Sequence, residues 1–231
     1  MIKQVILINL GMVKAFLIKG EKYILVDTGL PQSYKKIKDF FIKNNIDPKD
    51  ISLIVLTHNH IDHSGGIIKM KALTGAKVLI HKKESTYLEK GISTPVQARS
   101  ILAKIIMKLM KEPIIEGFKA DLIIENDFDL IPFGVNGKVI HTPGHTKGSL
   151  SILLTSGEAI VGDMITGKHK KDCNLAKYPF IWNDMSELKN SMKVLLGKGA
   201  KLFYNAHGDV CDDIAIKKLL EKDRGESVWV N

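Results

Sequence analysis

The sequence predicts a mixed α/β (α+β) fold in which two comparable halves pack as a sandwich with helices outside. Three observations carry this. Short apolar runs of strand length recur along the chain, separated by glycine and polar breaks. A series of meander, helix, strand and helix is followed by a second meander, helix and strand. A continuous β-branched run, residues 51–56, delivers the chain directly into the polar cluster Thr57-His58-Asn59-His60.

The elements follow in order. Residues 4–10, 13–19 and 23–26 are three apolar runs broken at Gly11 and at Gly20-Glu21, an antiparallel meander. Tyr34, Ile37, Phe40 and Phe41 stand at helical spacing, and Asn44-Asn45 and Asp47-Pro48 end that pattern, so a helix spans residues 32–44. Residues 51–56 form a strand with the histidines at its C-terminal end. Residues 64–74 read as a short helix stopped by Gly75, and 77–80 as another strand. Further on, Ile101, Leu102, Ile105, Ile106, Leu109 and Met110 share one face, with Lys104, Lys108 and Lys111 on the other. This amphipathic helix, near residues 99–111, is expected to cover the core; a lid or a dimer surface is the alternative. The second half places strands at 122–124, 139–141, 150–154, 159–161 and 202–205, and a helix at 185–196.

Composition sets the bounds. The 231 residues suit one domain, residues 1–231, with a core large enough to need no staples. Apolar residues at 45% and charged residues at 26% match an ordinary globular chain and exclude disorder and repeats. The net charge of +9 raises polyanions as partners, but only Arg99 and Arg224 are arginines, and the lysines are scattered. Phosphate and base recognition favour the planar fork of Arg, so nucleic acid is not the expected partner. Cys173 and Cys211 are too few for a disulfide framework, which points to the cytoplasm. Lys3, Lys14 and Lys19 interrupt the N-terminal apolar residues, which therefore read as strands rather than a leader. No apolar stretch reaches bilayer length, so no membrane is expected as partner.

The chemistry is concentrated in His58-Asn59-His60-Ile61-Asp62-His63. Neutral imidazole is a borderline-soft donor suited to zinc and iron, and carboxylates add charge that helps bind a divalent ion. In an extended loop His58 and His60 project to the same side and can share one ion. Asp62 and His63 lie where the chain turns into a helix and can face a second position, with Gly65 and Gly66 permitting the turn. Any one of these residues alone would read as a hydrogen-bonded structural histidine or, for Asp62, a helix cap; four together do not.

The segment Thr57-His58-Asn59-His60-Ile61-Asp62-His63-Ser64-Gly65-Gly66 resembles the signature of the metallo-β-lactamase superfamily. Val26-Asp27-Thr28-Gly29, Thr142-Pro143-Gly144-His145-Thr146, Gly162-Asp163 and His207-Gly208 resemble its further motifs in order, so the match spans roughly residues 5–208. The resemblance implies a four-layer αββα sandwich. It implies that His58, His60 and His145 bind a first metal, that Asp62, His63 and His207 bind a second, and that Asp163 bridges them. Asp27 is then a supporting carboxylate that orients a ligand histidine. The expected cofactors are two divalent ions, zinc foremost, with iron or manganese as alternatives. His141 ends a strand and reads as structural; His81 reads as exposed or at the core edge. His169, Tyr178, Phe180 and Trp182 are candidate substrate contacts, with core packing the alternative for the aromatics.

The expected activity is hydrolysis by a metal-bridging hydroxide, with Asp62 orienting the nucleophile and relaying a proton as well as ligating. A small-molecule ester, lactone or thioester is the preferred substrate. Nuclease or phosphodiesterase chemistry, a mononuclear iron sulfur dioxygenase and a non-catalytic metal-binding module are the competing readings. A homodimer is compatible with the sequence.

Overall fold

The computed structural model describes residues 4–97, 115–167 and 175–222. The amphipathic segment at 99–111, His169 and Cys173 lie outside the described residues. Two six-stranded sheets are stacked face to face, with helices on both outer surfaces.

In the first sheet β1 (Val5–Asn9), β2 (Lys14–Lys19) and β3 (Tyr23–Val26) pair antiparallel as the expected meander. Next come β4 (Ile51–Val55), β5 (Lys77–His81) and β6 (Leu122–Ile124), all parallel. Parallel neighbours need crossovers, and helices supply them. α1 (Ser33–Lys43) joins β3 to β4, and the one-turn α2 (Ile61–Ser64) with α3 (Ile67–Thr74) joins β4 to β5. α4 (Lys82–Glu89) leaves β5 directly. The helical turn therefore begins at Ile61, earlier than the spacing suggests, and takes Asp62 and His63 into it.

The second sheet runs β14 (Cys211–Asp212), β13 (Leu202–Tyr204), β10 (Glu158–Ile160), β9 (Leu150–Leu154), β8 (Gly137–His141) and β7 (Phe128–Asp129). Its one parallel pair, β10 with β13, is bridged by α5 (Met185–Gly197), and α6 (Asp213–Lys222) follows β14. A small hairpin pairs β11 (Thr166–Gly167) with β12 (Ala176–Lys177).

Alternation along the strands explains the layering, because neighbouring side chains point to opposite faces. Phe16, Ile18, Ile24, Val26, Leu53 and Val55 meet Val139, Ile152, Ile160 and Tyr204 between the sheets. Their neighbours Leu17, Leu25 and Ile54 turn outward to Ile37 and Phe41 of α1, Met70 of α3 and Leu88 of α4. On the far side, Leu188, Met192 and Leu195 of α5 and Ile216 and Leu219 of α6 cover Leu153, Ala159 and Phe203. The order is helices, sheet, sheet, helices, as the resemblance implies. No helix among the described residues is long and apolar enough to cross a membrane.

Candidate metal centre

The chain leaves five strands at the same edge of the sandwich. Asp27 follows β3, the run from Thr57 to His63 follows β4, His145 follows β8, Asp163 follows β10 and His207 follows β13. Strand ends are where a sheet can present side chains to a crevice without breaking its own ladder. The two halves are sewn together here by backbone bonds: Leu150 N donates to Thr57 O (2.7 Å) and Lys14 N to Ala206 O (3.1 Å).

Seven predicted residues meet at this edge. His58, His60, His145 and Asp163 bring ligand atoms within 4.8 Å of one another, and so do Asp62, His63 and His207; each group could hold a metal ion. In the first, His58 Nε2 is 3.0 Å and His145 Nε2 3.2 Å from His60 Nδ1. In the second, His207 Nε2 is 3.2 Å and His63 Nε2 3.8 Å from Asp62 Oδ2. Asp163 reaches both groups: Oδ1 lies 3.3 Å from His63 Nε2, and Oδ2 lies 3.4 Å from His207 Nε2 and 3.8 Å from His145 Nε2.

The outer ring nitrogens fix which way each imidazole presents its lone pair. His60 Nε2 faces Thr94 O (3.1 Å), His145 Nδ1 faces Ile181 O (3.0 Å) and His207 Nδ1 faces Met12 O (2.9 Å). Carbonyl oxygens only accept, so these nitrogens carry the hydrogens. His63 Nδ1 likewise donates to Asp27 Oδ2 (2.8 Å). Thr57 Oγ1 gives its hydrogen to the same Asp27 oxygen (2.8 Å) and so accepts from His58 Nδ1 (3.1 Å). In each neutral ring the inner nitrogen is therefore a lone pair. Five lone pairs and two carboxylates converge, and His63 Nε2 and Asp163 Oδ1 are buried with no hydrogen-bond partner among the described residues. Acceptors facing acceptors are tolerable only around cations, and imidazole with carboxylate is a donor set that suits a divalent metal.

The electrostatics say the same. Burial pushes His58 well below the ordinary histidine value, pushes His60 down, and brings His145 to about 4. Burial also opposes charge on His207, yet Asp163 and then Asp62 override it and raise it to about 10; Asp163 and Asp62 likewise raise His63. Against its own burial, Asp62 falls to about 2 beside His63 and His207. The site gathers positive charge, from protons when nothing else supplies it.

Asp27 lies beneath the centre, fully buried, with φ of +62°, a left-handed conformation that aspartate tolerates better than most residues. Its Oδ1 accepts from Thr57 N (2.8 Å) while Oδ2 serves Thr57 Oγ1 and His63 Nδ1. Gly162 is held at φ of +51°, and a Cβ there would stand 2.8 Å from Thr57 Oγ1, so only glycine lets the Asp163 loop close onto the Thr57 loop.

Glu84 supports the site and is passed over by motif reading. It sits in the first turn of α4, fully buried, with Oε2 accepting from Asn59 N (3.0 Å) and Oε1 from Gly148 N (2.9 Å). One carboxylate thus clips the His58/His60 loop to the His145 loop. A glutamate three residues after the helix cap His81 was the available signal, but that spacing is ordinarily read as a capping contact.

The remaining candidates separate. Trp182 lies half-buried between Ile181, which accepts from His145, and Asn183, whose N donates to His145 O (3.0 Å). Phe180 is 78% exposed nearby. Tyr178 packs against the α5 and α6 cluster, with Lys189 Nζ 5.6 Å from its ring centre. His81 is buried rather than exposed: its Nδ1 caps α4 by accepting from Lys83 N (3.1 Å), and its ring stacks on His141 at 4.1 Å.

The sequence model described as the metallo-β-lactamase superfamily matches residues 8–207. A probable metallo-hydrolase of Methanocaldococcus jannaschii is 28% identical over 205 residues, covering 87% of this chain and 90% of that protein. An N-acyl homoserine lactonase of a Bacillus species is 26% identical over 214 residues, covering 78% and 75%. The chain spans little more than half, 56%, of a Caenorhabditis elegans protein named β-lactamase-like protein 2 homolog. Among solved structures, a superfamily protein of the archaeon Sulfolobus tokodaii superposes with a TM-score of 0.66 at 23% identity, over 95% of this chain and 84% of that one.

Proposed function

Since the chain belongs to the metallo-β-lactamase superfamily, we propose that it is a metallo-hydrolase of small-molecule esters, lactones or thioesters that works with two divalent metal ions. The observation that carries this reading is the convergence of five imidazoles, each with its outer nitrogen hydrogen-bonded away from the centre, and two carboxylates. His58, His60 and His145 would hold one ion, Asp62, His63 and His207 the other, and Asp163 would be shared because its oxygens lie against His63 and His207 of one group and His145 of the other. Two such ions supply Lewis acidity, polarising a carbonyl and acidifying water toward neutral pH.

The chain's own groups account for the rest. The carbonyls of Met12, Thr94 and Ile181 keep three imidazoles in the accepting tautomer, and Asp27 does so for His63. Asp62 and His207 are the more open members, 29% and 28% exposed, so a reacting group approaches from their side. Asp62, held ionised by its histidine neighbours, is placed to orient a nucleophile by accepting its hydrogen bond. The names of the archaeal metallo-hydrolase and the Bacillus lactonase support hydrolysis, and the lactonase supports an acyl centre.

Elemental analysis of protein isolated without added metal, together with assays on a panel of esters, lactones, thioesters and phosphodiesters, tests the reading. Two equivalents of zinc and turnover of an acyl substrate are expected, with both lost together in His60→Ala and Asp163→Asn. Full activity with normal metal content in either variant would refute the assignment, and one iron per chain with oxygen uptake on a persulfide would replace it with a sulfur dioxygenase.

A further inference from the structure

A cavity of about 390 Å³ opens beside the metal centre, lined among others by Lys83, Tyr87, Thr94, Gln97, Lys147 and Asn183. Two of its walls are bonded to the candidate ligands. Thr94 O accepts from His60 Nε2 (3.1 Å) and Thr94 N donates to Asn59 O (2.8 Å), so this strap follows the His58/His60 loop. Asn183 N donates to His145 O (3.0 Å), and Asn183 Nδ2 crosses to Pro95 O (3.2 Å), tying the two walls together.

The charges on the rim are set by the Glu84 clip. Lys83 precedes Glu84, and Lys147 precedes Gly148, whose N–H binds Glu84 at 2.9 Å. A Cβ at Gly148 would lie 2.6 Å from Glu84 Cγ, which shows how closely these segments approach. The same contact that joins the two metal loops therefore brings two exposed lysines to the lining of one cavity, with Tyr87 one helical turn beyond Lys83 on the same face. Both Glu84 oxygens are buried and accept backbone N–H groups, so Glu84 makes no ion pair with either lysine; Glu125, which feels the charge of Lys83, is paired to Lys82. Lys82 pairs with Glu125 at 2.8 Å, but neither Lys83 nor Lys147 has an ion-pair partner among the described residues. Like charges around a cavity repel unless an anion lies between them.

We propose that this cavity is a subsite for an anionic group, carboxylate or phosphate, on the substrate, so that the preferred substrates are acyl compounds bearing a second, negatively charged end. The inference rests on the hydrolase reading for the word substrate, while the subsite stands on the lysines alone. Charge-assisted hydrogen bonds are shorter and stronger than neutral ones, and two lysines give the site its preference for anions.

Titration calorimetry on the zinc-loaded 231-residue chain tests it with glutarate, valerate and 3-phosphonopropionate. One carboxylate of each can reach the metals equally; only the first and third carry a second anion. Glutarate is expected to bind at least about tenfold more tightly than valerate, the scale of one charge-assisted contact. Lys83→Met with Lys147→Met should bring glutarate to the valerate level while leaving valerate binding and zinc content unchanged, and Lys→Arg at both positions should restore the preference. Tighter, lysine-dependent binding of 3-phosphonopropionate than of glutarate supports the subsite and names phosphate as its group. Equal binding of glutarate and valerate, or a preference that survives the double methionine variant, overturns it. Lysine-dependent glutarate binding in a zinc-loaded chain that hydrolyses no acyl substrate supports the subsite and overturns the hydrolase reading.

Discussion

Replacing Asp27 by Asn alters one atom beneath the site, and its consequence can be followed atom by atom. Three donors point at this carboxylate: Thr57 N at Oδ1, and Thr57 Oγ1 and His63 Nδ1 at Oδ2, each at 2.8 Å. An asparagine offers one accepting oxygen. Kept on Thr57 N, it turns its NH2 toward the histidine and the hydroxyl, where a donor now meets donors. His63 can resolve the clash only by moving its hydrogen from Nδ1 to Nε2, and that hydrogen then points into the metal centre. The lone pair proposed to bind the second ion is lost. Thr57 Oγ1, freed to donate elsewhere, weakens the same preference in His58, 3.1 Å away. A lost hydrogen bond to a charged group is worth roughly 1.5–3 kcal/mol, which is the same scale as the 10–100-fold loss of metal affinity typical of removing a ligand's orienting partner. The backbone contact from Thr57 N survives, so the fold should persist. Chelator competition with a zinc-sensitive dye is the assay: affinity for one of the two equivalents, the one assigned to Asp62, His63 and His207, should drop by about 10–100-fold. Two equivalents bound at unchanged affinity would refute the tautomer argument.

Three further outcomes follow from the same geometry. Glu84→Gln leaves one of the two buried amides of Asn59 and Gly148 facing an NH2 group, at a cost of roughly 1–3 kcal/mol, and thermal unfolding should fall by about 2–4 °C per kcal/mol for a chain of this size; an unshifted midpoint would show that Glu84 does not clip the loops. Gly162→Ala places a Cβ 2.8 Å from Thr57 Oγ1 at φ of +51°, a strain of order 1–3 kcal/mol, and should lower both stability and zinc content, whereas wild-type values of both would contradict it. In metal-stripped protein, His207, raised to about 10, contributes stability that is complete below its ordinary 6.5 and lost as pH rises through about 10. His145, lowered to about 4, contributes stability that falls away as pH drops from 6.5 to 4. Stability should therefore peak near pH 6.5 and decline on both sides, with zinc flattening the alkaline limb; a midpoint rising steadily to pH 9 without metal would oppose this.

What was legible in the sequence shares a physical cause. Strands such as β4 and β9 are buried on both faces and so appear as continuous β-branched or leucine runs. The ligand types stand out because imidazole and carboxylate are rare in the ends of such strands. α4 stayed hidden because its buried positions are Glu84, Ser85 and Leu88, which make no apolar stripe. The two-residue strands β7, β11, β12 and β14 are too short to show any period. The partners that set the histidine tautomers were invisible for another reason. Three of them are the backbone carbonyls of Met12, Thr94 and Ile181, and a carbonyl is the same whatever residue carries it.

That last point bears on how the site is assembled. His207 takes its tautomer from Met12, 195 residues earlier, and His145 takes its own from Ile181, 36 residues later. His58 and His63 share a single oxygen of Asp27, directly or through Thr57. The second half cannot therefore finish its own set of lone pairs, because His207 needs the Met12 carbonyl of the first. The first sheet supplies Asp27, Thr57 and the Met12 carbonyl; the second supplies His145, Asp163 and His207. Metal binding then reports on the packing of the two sheets, because an ion that binds only the assembled edge stabilises the fold by mass action. Long-range contacts usually form slowly, and here they also determine which nitrogen of His60, His63, His145 and His207 faces the site.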